Sequence, residues 1–200
     1  MAACTMYRMF PALALLAAAP LAGCGAGKAE APPLAGARIG GPFALVDQDG
    51  KAVRDSDFAG RYRIVYFGYT YCPDVCPTDM AKIGQAMKLL DEQAPRVAQK
   101  VVPIFITVDP ERDTPAVVKQ FVANFHPRIV GLTGSPQAIA AAAKSYAVYF
   151  KKQPAGPGGG YMVDHLAVAF LMGPNGEPIA SLPIDKDGAA IAEQVQHWAR

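Results

Sequence analysis

The sequence predicts an α/β fold, a mixed central sheet with helices on both faces, from three observations. Residues 63–68 and 101–108 are apolar, β-branched runs of the kind that form buried strands. Between them Met80, Ile83, Met87 and Leu90 recur at helical spacing, which makes a βαβ unit. The chain then closes with a second pair of short apolar runs around a turn and a final amphipathic segment, a β-hairpin followed by a helix.

Taken in order, Phe43-Ala44-Leu45-Val46, a turn at 47–50 and Lys51-Ala52-Val53 read as an N-terminal hairpin. The strand at 63–68 feeds a cysteine pair and the helix that follows it. After the strand at 101–108, Thr114-Pro115 supplies a helix N-cap and a proline at the first helical position. That helix carries Val117, Val118, Phe121, Val122 and Phe125 on one face. Residues 129–132 read as a short strand, Ser135-Pro136 opens another helix through Tyr146, and 148–150 reads as a strand edge. Residues 154–160, rich in Gly and Pro, form a loop; no Lys-Ser/Thr follows, so it is no phosphate cradle. Residues 166–172, a turn at 174–177 and residues 179–182 form the antiparallel hairpin. Asp187 caps a last helix that turns Ile191, Val195 and Trp198 inward. This order is the thioredoxin-like arrangement with an extra N-terminal hairpin.

At 52% hydrophobic and 18% charged residues, the chain is too apolar to be disordered. Lys+Arg 19 against Asp+Glu 17 leaves a net charge of +2 without a basic run, so nucleic-acid binding is set aside. The first residues read as an address. Arg8 is followed by an apolar stretch, 9–22, shorter than the roughly 18–20 residues a spanning helix needs. It ends in Leu21-Ala22-Gly23-Cys24, which resembles the lipobox of bacterial lipoproteins. The resemblance implies a signal peptide at 1–23, lipidation of Cys24, a tether at 24–38 and a folded domain at 39–200. It places the protein on the periplasmic side of a bacterial membrane, held by its lipid anchor.

Of the four cysteines, that reading leaves Cys72 and Cys76 free. They sit in Cys72-Pro73-Asp74-Val75-Cys76-Pro77, between a strand and a helix, where unpaired amides and the helix dipole favour thiolate. If the helix begins at Pro73, Cys72 is its N-cap and Cys76 lies one turn on, so both sulfurs face one partner. Two such thiolates form either a disulfide or a claw for a soft metal ion.

A claw of two sulfurs wants a third ligand, and the chain has three histidines. His126 and His197 occupy helix-end positions that suit capping or surface roles. His165 stands between the glycine-rich loop and a strand, where the expected topology brings a loop opposite the cysteine pair. As a neutral imidazole it would complete a site of two sulfurs and one nitrogen, suited to Cu(I) or, with a further ligand, Cu(II). Read from the residues alone, His165 fits a polar loop residue as well as a ligand.

Residues 68–77 (Gly-Tyr-Thr-Tyr-Cys-Pro-Asp-Val-Cys-Pro), 108–115 (Val-Asp-Pro-Glu-Arg-Asp-Thr-Pro), 131–134 (Gly-Leu-Thr-Gly) and Asp164-His165 together resemble the Sco/SenC family, in register over 39–200. The resemblance implies copper binding by Cys72, Cys76 and His165. It also implies assembly of the CuA centre of cytochrome c oxidase, with subunit II as partner and other copper chaperones or thiol reductants upstream. Two positions depart from the family pattern: Tyr71 stands where members often have His, and Leu166-Ala167 where a hydroxyl residue is common. Neither removes a ligand.

Two functions of different class follow. A metallochaperone needs all three donors, whereas a thiol-disulfide reductase needs Cys72 and Cys76 as its redox pair and can spare His165. Three residues between the cysteines, rather than two, and the histidine facing them suit a metal better than rapid disulfide exchange. Around the site, Asp109 and Asp113 read as loop and cap residues before they read as acids orienting His165. Met80 reads as core and Met162 as an exposed loop residue rather than as thioether ligands. Tyr69, Tyr71 and Tyr161 fit a rim around the site and ordinary half-buried packing equally well.

Overall fold

The side chains of a strand alternate between its two faces, and Tyr66 and Phe67 show what this strand carries on each. The computed structural model describes residues 1–3, 30–156 and 159–199, and the compact unit spans Ala31–Arg200. In chain order the elements are β1 (Ala44–Asp47), β2 (Ala52–Arg54), β3 (Tyr62–Gly68), α1 (Val75–Gln93), α2 (Pro95–Ala98) and β4 (Val101–Thr107). Next come α3 (Pro115–Val122), β5 (Val130–Thr133), α4 (Pro136–Ser145), β6 (Phe150–Lys152) and β7 (Val163–His165). The chain closes with β8 (Ala169–Met172), β9 (Pro178–Leu182) and α5 (Gly188–Trp198). The expected leader beyond its first three residues, the lipidation site Cys24 and the start of the tether, through residue 29, lie outside the described residues.

Seven strands form one sheet in the order β2-β1-β5-β4-β3-β8-β9. β3, β4 and β5 run parallel, and β1, β2, β8 and β9 pair antiparallel. Tyr66 turns to one face, where its hydroxyl donates to Asp79 on α1. Phe67 turns to the other, its ring 5.3 Å from that of Tyr146 at the end of α4. Phe105, in register with Tyr66, packs on Phe121 of α3. Helices therefore cover both faces of a mixed sheet, the thioredoxin-like fold, with β1–β2 as the extra hairpin.

The central strands read as continuous apolar runs because both their faces are covered: Ile64, Val65, Phe105, Ile106 and Leu171 are fully buried. Each such side chain contributes about 1.5–3 kcal/mol by leaving water. Side-chain oxygens of Thr114, Ser135 and Asp187 accept the backbone N–H groups of Val117, Ala138 and Ala190, capping α3, α4 and α5. Among the described residues no helix is long and apolar enough to cross a membrane.

Two strands begin well after the sequence reading placed them. The strand expected at 148–150 is Phe150–Lys152, and the one expected at 166–172 is Ala169–Met172. The displaced residues belong to a feature that periodicity did not signal. β6 and β7 form a separate two-stranded ribbon outside the main sheet, and His165 is its last residue, opposite Phe150.

Candidate metal centre

β3 ends at Gly68, and the chain turns there to carry the cysteines over the end of the sheet. A Cβ at Gly68 would stand 3.0 Å from Cys76 Sγ, 2.8 Å from the Tyr66 ring and 3.1 Å from the Phe105 ring. The absence of a side chain at this position is what lets the second sulfur rest on the strand.

The helix begins later than the spacing suggested. Its N-cap is Asp74 and its first residue Val75, so Cys72 lies outside it and Cys76 in its first turn. The reason is Pro77. In a helix starting at Pro73 it would be the fifth residue, which must donate an N–H that proline lacks, whereas from Val75 it is the third, where no donor is needed. The sulfurs converge all the same. The Cys76 amide donates to Cys72 Sγ at 3.4 Å, so the first sulfur serves as an acceptor for an otherwise unpaired amide of the first turn.

His165 arrives from the ribbon. Its Nε2 is 3.2 Å from Cys76 Sγ, and its Nδ1 is 3.3 Å from the Leu166 carbonyl. A carbonyl only accepts, so Nδ1 carries the proton and Nε2 presents its lone pair to the sulfur. The three donor atoms of Cys72, Cys76 and His165 lie within 4.8 Å of one another. Tyr66 and Tyr69 set their rings edge-on to the imidazole, at 6.4 and 5.8 Å between centroids.

The two thiols differ. Burial pushes the Cys76 thiol well above the ordinary cysteine range, with the Cys72 sulfur adding to the effect. Burial opposes ionisation at Cys72 too, but the amides of Cys76, Asp74 and Val75 outweigh it, and this thiol sits below its usual value. Burial also holds His165 below the ordinary histidine range, so its ring is neutral near pH 7. In this state the Cys76 proton points at Nε2, a position that a soft cation can take over. Two sulfurs and a neutral nitrogen, largely withdrawn from water, suit such an ion.

The other candidates sort clearly. His126 is buried rather than at the surface; its Nε2 lies 3.1 Å from Asp91, and its Nδ1 accepts the Arg128 N–H. His197 stacks edge-on against Trp198 in α5. Met80 is core, and Met162 is exposed with its Sδ 3.9 Å from the Tyr69 hydroxyl. Tyr69 is buried, so of the three tyrosines only Tyr71 and Tyr161 border solvent. Asp113 is fully buried and accepts from the Thr70 N–H, the Thr70 hydroxyl and the Thr107 hydroxyl. Asp109 accepts from Arg112 and from the Tyr161 hydroxyl.

Two residues near the donors had no separate signal in the sequence. Asp79, buried one turn beyond Cys76 and hydrogen-bonded to Tyr66, was betrayed only as a charge on the apolar face of a helix. Arg112 spans the gap between the cysteine loop and the ribbon, a contact across 49 residues of sequence.

The SCO1/SenC family model matches residues 31–200. SCO1 homolog 1 of Arabidopsis thaliana, a mitochondrial protein, is 45% identical over 145 residues, which is 72% of this chain and 42% of that one. The chain spans about half the length of the curated relatives it matches. Among solved structures, Bradyrhizobium japonicum ScoI with copper bound superposes with a TM-score of 0.73 at 41% identity, covering 80% of this chain and 99% of that one. BsSco, a member of the Sco family of cytochrome c oxidase assembly proteins in which a disulfide switch was identified, superposes with a TM-score of 0.64 at 27% identity. That match covers 84% of this chain and 95% of BsSco.

Proposed function

The chain belongs to the SCO1/SenC family, and from that premise we propose that it is a copper metallochaperone serving assembly of the CuA centre in cytochrome c oxidase subunit II. Copper is its cargo, held by Cys72, Cys76 and His165. The observation that carries the proposal is the convergence of these three donor atoms within 4.8 Å, from the loop before α1, the first turn of α1 and a ribbon that places His165 89 residues beyond Cys76. In the same proposal Cys24 bears the lipid, and the domain works on the periplasmic side of a bacterial membrane.

The chemistry supports release as well as capture. Cys72 is partly exposed and Cys76 fully buried, so an incoming thiolate or imidazole of a partner reaches the ion from the Cys72 side. Oxidation of the pair to a disulfide would remove both sulfur donors together, and reduction would restore them.

Competition of the reduced protein against a chromogenic Cu(I) chelator tests this reading. One Cu(I) per chain is expected, lost in Cys72→Ser and Cys76→Ser and weakened by about tenfold or more in His165→Ala. Binding in His165→Ala as tight as in the parent protein would overturn it.

A second reading draws on the unequal thiols. An accessible thiol of lowered pKa beside a buried one of raised pKa is the arrangement of a dithiol reductase. Cys72 thiolate would attack a disulfide of the CuA site and release one target thiolate. Cys76 would then displace the other, leaving a Cys72–Cys76 disulfide and a target reduced by two electrons. Turnover kept in His165→Ala and lost in either cysteine variant distinguishes this activity.

A further inference from the structure

His165 stands on a ribbon that shares no ladder with the main sheet, so strand pairing does not fix its distance from the cysteines and side chains bear on it. One of them touches both parties. The Arg112 guanidinium donates through Nε to Asp109 at 2.5 Å and through Nη1 to the Tyr161 carbonyl at 3.0 Å, four residues before His165. It lies 3.7 Å from the centroid of the Tyr161 ring, 4.7 Å from that of Tyr71, which adjoins Cys72, and 5.8 Å from that of Tyr69. The Tyr161 hydroxyl closes the loop by donating to Asp109 at 2.7 Å. Nη2 is buried without a hydrogen-bond partner among the described residues, so that edge of the fork rests on aromatic faces alone.

The base of this bridge is fixed. Asp109 is buried and its N–H donates to the Thr107 hydroxyl, while Thr107 in turn donates to Asp113, the residue that holds Thr70. Residues 109–113 thus grip the cysteine loop through Asp113 and the histidine ribbon through Arg112.

We infer that Arg112 is the positioning residue that seats the His165 ribbon against Cys72 and Cys76, and so sets how far the imidazole contributes to the metal site. It is not a ligand. A planar fork that pairs Asp109, reaches a carbonyl and stacks between tyrosines is a task lysine cannot perform. The inference rests on the copper reading of the same site, and two readouts separate them.

The first readout is Cu(I) competition in a double-mutant cycle of Arg112→Ala with His165→Ala, with Arg112→Lys and Tyr161→Phe as milder variants. Arg112→Ala is expected to weaken binding about 10- to 100-fold when His165 is present and to change it little when His165 is already alanine. Arg112→Lys and Tyr161→Phe should fall between. The second readout is amide hydrogen exchange of the copper-free protein. Arg112→Ala should speed exchange in β6 and β7 while leaving β3 and β4 protected. Equal Cu(I) affinity of Arg112→Ala and the parent, an equal loss in the His165→Ala background, or unchanged ribbon exchange would each overturn the inference. A parent protein that binds no Cu(I), with ribbon exchange still raised in Arg112→Ala, would sink the copper reading and leave the positioning role standing.

Discussion

Asp113 holds Thr70 by both of its donors. The backbone N–H meets one carboxylate oxygen at 2.9 Å and the hydroxyl meets the other at 2.6 Å, with the Thr107 hydroxyl also 2.6 Å away. Thr70 lies two residues before Cys72, so the start of the cysteine loop is tied to the end of β4 inside the core.

Asp113→Ala therefore strands three donors in a dry site. We expect a loss of about 1–3 kcal/mol, read from urea unfolding, together with faster alkylation of Cys76 as the loop loosens. Unchanged stability would mean that the three bonds contribute nothing net.

Gly68→Ala should cost about 1–3 kcal/mol, because the new methyl meets two aromatic rings and a sulfur in a packed core. The Cys76 sulfur is the neighbour most able to give way, so Cu(I) affinity should fall along with the midpoint of unfolding. A variant as stable and as tight-binding as the parent would contradict the account of why this position is glycine.

The unequal thiols predict ordered alkylation. Near neutral pH iodoacetamide should modify Cys72 first, since its thiol is lowered by amide donors and partly exposed. Cys76, buried and raised, should react slowly even in Cys72→Ser. Mass spectrometry of partially modified protein reads the order directly, and equal rates would contradict it.

Acid should destabilise the metal-free protein through His126. Burial lowers its folded pKa below the ordinary 6.5, so the unfolded chain binds the proton more readily. The stability it lends is present above pH 6.5 and is lost as pH falls from there toward the folded value. His165 is shifted the same way and adds to the slope. Against the parent, His126→Gln should show a shallower fall in unfolding free energy as pH drops below 6.5. An identical slope would remove His126 from the account.

Much of the fold was legible because it rests on local patterns. Continuous apolar runs marked β3 and β4, and Thr114, Ser135 and Asp187 declared the starts of three helices. Cys72 and Cys76 could be nominated because few residue types offer soft donors, whereas His165 was nominated by the expected topology and the family resemblance. The ribbon was not legible. Val163, Asp164 and His165 make a strand too short for alternation to show, and its partner lies across a glycine-rich loop. The true start of α1 was hidden by a choice between Pro73 and Pro77, which the missing N–H of the second decides. Arg112 showed only as one residue of the 108–115 motif, since its partners at Tyr71 and Tyr161 are adjacent only once the chain has folded.

The central claim is that a nitrogen from residue 165 and two sulfurs from residues 72 and 76 share one ion. Copper K-edge X-ray absorption on the Cu(I)-loaded protein, beside His165→Ala, tests it most directly. The account predicts two sulfur neighbours and one nitrogen neighbour in the parent, with the nitrogen absent from the variant. The same coordination shell in both proteins would contradict it.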